Sequence, residues 1–197
     1  VFGALLPAQP QLTIVEFYVE AESPNGQART WPAPTDDAGA QGANALYQVD
    51  NTVYAGPQPL YRLTMLSAER QRWLELMERI PGGCFSDATM NAGFVSIDGA
   101  GTEVRYRVGV RNRGASTRTA QPHNLHVGFP RDALWHGQAA LGLNTRTVHS
   151  QVAGNAFHLL AGIPNVYGAP VQVRINGVNR AYAGPASFID SFQFGSY

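Results

Sequence analysis

The stretch Arg105-Tyr-Arg-Val-Gly-Val-Arg-Asn-Arg-Gly-Ala-Ser-Thr-Arg118 holds five of the chain's fourteen basic residues, and its alternation decides the fold class. Successive side chains of a β-strand point to opposite faces. The spacing predicts one face bearing Arg105, Arg107, Arg111 and Arg113, with Gly109 as the gap between the two pairs. It predicts Tyr106, Val108 and Val110 on the other face, against a core. The strand hands over to Gly114-Ala-Ser-Thr117, small residues whose N–H groups and hydroxyls can close around an anion. Every basic residue is Arg; there is no Lys. The planar guanidinium fork matches phosphate or carboxylate, so Arg111, Arg113, Gly114, Ser116, Thr117 and Arg118 read as an oxyanion site.

The formal charge of the 197-residue chain is zero, so the Arg cluster is local and a general nucleic-acid-binding surface is not expected. Charged residues make up 14%, against 21 Gly and 13 Pro, which suits a turn-rich β or α+β protein better than a helical bundle. The single Cys84 excludes an intrachain disulfide, and no His partner for a reactive thiol is apparent. No apolar run approaches the length of a membrane span. Val1-Phe-Gly-Ala-Leu-Leu6 and Phe194-Gly-Ser-Tyr197 read as interrupted strands, as expected of a piece of a longer polypeptide.

Outward from the Arg strand, Gly93-Phe-Val-Ser-Ile97 and the turn Asp98-Gly-Ala-Gly101 make it the second arm of a hairpin. Leu60–Met65 reads as a strand, and Ser67 as the cap of a helix over 68–80 with apolar positions Trp73, Leu74, Met77 and Ile80, stopped by Pro81-Gly-Gly83. His123–Phe129 predicts a further strand, on which His123 and His126 face opposite ways and cannot share a metal. A second helix is expected over 147–161, carrying Val148, Val152, Phe157, Leu159 and Leu160 and ending at Gly162. Pro170–Ile175, the turn Asn176-Gly177 and a return strand follow. Upstream, residues 11–21 and 27–31 flank the turn Pro24-Asn-Gly26 and read as the last hairpin of a β-sandwich module. The expected organisation is that module over 1–34, a linker over 35–58, and an α+β domain over 59–197 built on a mostly antiparallel sheet with two helices. Trp31, Trp73 and Trp135 are scattered and read as core or interface packing, not as sugar platforms.

Val108-Gly-Val-Arg-Asn-Arg-Gly-Ala-Ser-Thr-Arg118 resembles the V-G-[VI]-R-x-R-G-x-[ST]-[ST] segment of the CotH-like spore-coat kinase family. Ala140-Leu-Gly-Leu-Asn144, Gly162-Ile-Pro164 and Val171–Gly177 resemble that family's later segments in order and spacing, so the likeness spans residues 60–180. Val15–Ala21 and Arg29-Thr-Trp-Pro32 resemble the end of an immunoglobulin-like module preceding such domains. The resemblance implies the N-lobe of an atypical kinase-like fold, a secreted or cell-surface location, ATP and Mg as cofactors, and phosphoryl transfer to protein hydroxyls. It places His126 where a phosphate-pairing Lys or Arg is expected. Kinase-like folds also use a Lys–Glu pair. Here Lys is absent, and no acidic residue lies between Asp132 and Asp190, so the predicted second helix carries no carboxylate. The family's catalytic carboxylates would lie beyond Tyr197.

Two further readings stand beside nucleotide-phosphate binding. One is a non-catalytic surface or assembly module, with strand ends such as Phe188–Phe194 paired to a protein partner or a second copy. The other is binding of an acidic glycan by the Arg face.

Overall fold

The computed structural model describes residues 3–78, 86–114, 118, 122–180 and 192–196. The amino-terminal part holds β1 (Ile14–Phe17), β2 (Val19–Glu22), β3 (Ala28–Trp31) and β4 (Ala45–Gln48). The rest holds β5 (Leu60–Thr64), α1 (Ser67–Glu78), β6 (Met90–Asp98), β7 (Gly101–Asn112), β8 (Leu125–Gly128), β9 (Ala140–Asn144), α2 (Val148–Leu160), β10 (Gly168–Ile175), β11 (Val178–Asn179) and β12 (Phe192–Ser196). This is an α+β fold with mostly antiparallel strands and two helices.

The main sheet runs β11-β10-β12-β9-β8-β7-β6-β5, and β10 also pairs with β5. That last ladder is parallel, matching Gln172–Ile175 with Leu60–Leu63, and it joins the two ends of the sheet into a ring. Apolar side chains of alternate positions fill the inside: Leu63, Met90, Ala92, Phe94, Val108, Val110, Leu125, Val127, Leu141, Leu143, Val171 and Val173 form one buried cluster. Trp135, from the connection between β8 and β9, seals one end. It lies 5.4 to 5.7 Å from Tyr61, Phe94 and Phe129, and its indole N–H donates to Ser96 Oγ at 2.9 Å.

A bulge in β7 decides which residues reach the site. Ala92 opposes Val108 but Phe94 opposes Arg105, so Gly93 faces both Tyr106 and Arg107. Directly opposed residues share a face, and the extra residue reverses the alternation. Val108 and Val110 point inward with Met90 and Ala92; beyond the bulge, Arg105 takes the inner face with Phe94. Val104 and Tyr106 are thereby left on the outer face. The expected row of four arginines is therefore broken. Arg105 donates to the carbonyls of Ala133 and Leu134 and pairs with Glu103 at 3.0 Å, serving the barrel mouth. Tyr106 packs 5.4 Å from Phe17 and 6.5 Å from Trp31, outside the core where it was expected.

The amino-terminal strands cover that outer face. The β2–β3 hairpin forms around Pro24-Asn-Gly26 as expected, while β1 pairs with β4, inside the stretch expected as a linker. Ala45 and Leu46 are fully buried, and a Cβ on Gly93 would come within 2.5 Å of the Leu46 carbonyl oxygen. Glycine at 93 is what lets β4 lie on the ring.

Helix α1 docks through Trp73 and Leu76, while Leu74, expected inward, is exposed. Glu69 in its first turn accepts the Asn91 N–H at 3.0 Å. The Ile80 side chain, the Pro81–Gly83 stop and Cys84 lie outside the described residues. In α2, Val148 and Asn155 are buried, while the apolar Phe157, Leu159 and Leu160 are exposed. Gly162 ends this helix at φ +68°, its N–H bonded to the Leu159 carbonyl. Asn176 and Gly177 have positive φ, as the expected two-residue hairpin turn requires.

Candidate functional site

The outer face of β7, β8 and β9 carries the surviving part of the Arg row. Strand register sets Arg111 beside His126, and His126 beside Gly142. The adjacent row is Gly109, Gly128 and Ala140. The face is therefore a small-residue floor bounded by cationic side chains. A Cβ at Gly128 would lie in ordinary contact, 3.7 Å from the Gly109 carbonyl oxygen and 3.8 Å from His126 Nε2. Thr89 overhangs Gly109, and a cavity of about 410 Å³ lies there, lined by Arg107, Gly109, Gly128, Thr89 and Asn91.

The charges do not cancel. Asp87 accepts from Arg111 at 3.0 Å and also pairs with Arg118. The Arg118 hydrogen bond, then the Arg111 charge, hold its carboxyl below the usual range. Among the described residues, the side chains of Arg107, Arg113 and His126 have no hydrogen bond or ion pair. Burial lowers the pKa of Arg113, and the neighbouring Arg111 lowers it further. Burial likewise lowers His126, followed by Arg111 and Arg113, against a weaker opposing pull from Asp87. Arg107, Arg111, Arg113 and Arg118 together bring a surplus of positive charge to this face. One exposed carboxylate does not balance it.

The strand–loop junction is pinned from both sides. The buried Asn112 amide donates to the Arg118 carbonyl at 2.8 Å, and Arg118 returns a bond to the Asn112 carbonyl at 3.2 Å. A ring nitrogen of His123 lies 2.8 Å from the same Arg118 oxygen, and that ring packs edge-on to Trp73. His123 is thus an inward packing residue while His126 faces outward, as their spacing predicts. Gly114 sits at φ +105°, a conformation L side chains rarely adopt. Arg111, Arg113, Gly114, Arg118 and His126 therefore gather at one end of the ring's outer face. Ser116 and Thr117 lie outside the described residues.

Sequence reasoning missed the counter-ion and the rim. Asp87, Thr89 and Asn91 alternate immediately before and into β6, a polar pattern that placed them on the face shared with Arg111. Gly128 was legible as a small residue within an expected strand, yet only the register sets it beside Gly109 and sets Gly142 beside His126. Neither models of protein families nor curated protein sequences match this chain.

Proposed function

We propose that this chain binds the phosphates of a nucleotide on the glycine-floored outer face of β7–β9, within an exported protein whose sequence resembles the CotH-like, kinase-like family. The observation that carries the reading is the uncancelled charge: Arg107 and Arg113 have no hydrogen bond or ion pair among the described residues, while Arg111 and Arg118 share Asp87. A polyphosphate has oxygens enough to engage several guanidinium groups, and glycines allow it to approach the backbone closely. Arg113 and Arg111 contact phosphate in this reading; His126 donates once protonated. The described residues contain no cluster of His, Cys, Asp or Glu fit to hold a metal, so Mg²⁺ is assigned to none of them. Phosphoryl transfer to protein hydroxyls belongs, in this reading, to a parent that adds catalytic carboxylates.

Isothermal titration with ATP, Mg-ATP and inorganic pyrophosphate tests the proposal. Saturable binding that Arg113→Gln weakens by about tenfold or more is expected. Absence of heat at millimolar nucleotide overturns it.

A second reading, a non-catalytic surface-assembly module, rests on the exposed apolar end of α2, where Phe157 and Leu160 are 71% and 86% exposed. It predicts self-association in light scattering that Phe157→Ser/Leu160→Ser abolishes. A strictly monomeric chain at high concentration argues against it.

A further inference from the structure

A second cavity, of about 780 Å³, lies on the same outer face beyond the bulge, between the amino-terminal strands and β5–β7. That volume is in the range of small-molecule sites. Its walls are aromatic. Trp31 and Tyr106 meet at 6.5 Å and 85°, and Phe17 and Tyr47 stand behind them, Phe17 5.4 Å from Tyr106 and 5.9 Å from Tyr47. Unlike Trp73 and Trp135, which are buried, Trp31 is 46% exposed, and Tyr106 is 40% exposed. The two partly exposed rings stand nearly at right angles to each other.

The floor is polar and electrically balanced. Arg62 and Asp50 pair at 3.1 Å, with side-chain exposures of only 14% and 5%. Asp50 also accepts the Gln11 amide and the Thr52 N–H, and Arg62 donates a second bond to the Thr52 carbonyl at 3.2 Å. The Nε–H of Arg62 is buried without an acceptor among the described residues. Arg174, the other cation felt by Arg62, does not line the cavity; it donates to Asn179 and lies over the Tyr54 ring.

These features select among occupants. A purely apolar guest would strip water from the Arg62–Asp50 pair that lines the cavity, a cost avoided by a ligand that brings a hydroxyl. A charged guest would meet a floor whose charges already cancel. A ring with an apolar C–H face and a hydroxyl edge satisfies both walls and floor: the face stacks on Trp31 or Tyr106, and a hydroxyl accepts from Arg62 while donating to Asp50. We propose that this cavity is a binding site for a neutral pyranose, a unit of a neutral oligosaccharide. It is separate from the phosphate face and does not depend on it.

The test titrates the full chain with maltohexaose, cellohexaose and N-acetylchitohexaose, following tryptophan fluorescence and heat. Because Trp31 is the exposed indole among three, at least one sugar is expected to give a saturable fluorescence change. Trp31→Ala and Tyr106→Ala are each expected to weaken that affinity about tenfold or more. Trp31→Phe retains most of it, and Arg113→Gln leaves it unchanged. Circular dichroism confirms that the variants fold, and Trp31→Phe keeps the test valid if the alanine variants do not. No saturable response to any of the three sugars at millimolar concentration defeats the proposal. So does binding that folded Trp31→Ala and Tyr106→Ala variants both leave intact, or cavity occupancy by an apolar dye that no sugar displaces.

Discussion

Arg113 is half-buried beside Arg111, and among the described residues nothing neutralises its guanidinium. A cation in that position adds repulsion to the folded state and stabilises nothing visible in it. Replacing it by Met keeps most of the stem's packing and removes the repulsion. Arg113→Met is therefore expected to raise stability by roughly 0.5 kcal/mol in urea denaturation while losing nucleotide affinity. A loss of both would make Arg113 a structural residue. Asp87→Asn runs the other way: it frees Arg111 and Arg118 and should tighten nucleotide binding, read by the same titration. His126 adds a pH signature. The folded state disfavours its protonation, so as pH falls through about 6.5 the unfolded chain takes up the proton first. Its contribution to stability is complete above that pH and is lost as pH falls toward the lower folded-state value. Bound phosphate reverses the local field and favours the imidazolium. Nucleotide affinity is therefore expected to rise from mildly alkaline to mildly acidic pH, and His126→Gln should flatten that rise.

At the level of elements, the β7 bulge and the β4 strand are joined through Gly93. Gly93 faces the two bulged residues, and its missing side chain is the space that the Leu46 carbonyl occupies. Gly93→Ala is expected to cost about 1–3 kcal/mol, because both sides of the contact are backbone and neither can yield cheaply. Denaturant melts check the size, and increased dye access to the Trp31–Tyr106 cavity checks that β4 has lifted. This junction also marks where sequence reading stopped. The alternation of Val108, Val110, Arg111 and Arg113 was visible because it follows the two-residue period of a strand. The bulge was not: Tyr106-Arg107 fits an unbroken alternation as well as a broken one, and the difference lies in the partner strand. Ala45-Leu-Tyr-Gln48 is too short and too poor in β-branched residues to stand out beside Gly- and Pro-rich neighbours, so β4 read as linker. The exposure of the apolar end of α2 was not legible for a related reason. Periodicity gives a helix its stripe, but not whether a neighbour covers it.

For the whole molecule, the decisive contact is the parallel ladder between β10 and β5, because it turns an open sheet with two edges into a ring. Nothing local in either strand signals it, since the partners are more than a hundred residues apart in the chain. One side chain clasps that seam. Asn176, in the turn after β10, accepts the Met65 N–H at 2.8 Å and donates to the Met65 carbonyl at 2.9 Å, while its own N–H donates to the Leu63 carbonyl at 2.9 Å. Its φ of +51° is tolerated by Asn and Gly and strained for most other residues. Asn176→Gly therefore removes the two side-chain bonds without adding backbone strain, and is expected to cost about 1–3 kcal/mol. Asn176→Ala adds the strain and should cost more. If the seam closes the ring, Asn176→Gly should also release amide protection selectively along β5 and β10, leaving the β6–β7 hairpin slow to exchange. Uniform loss of protection across all strands would mean that β10–β5 pairing follows closure and does not maintain it.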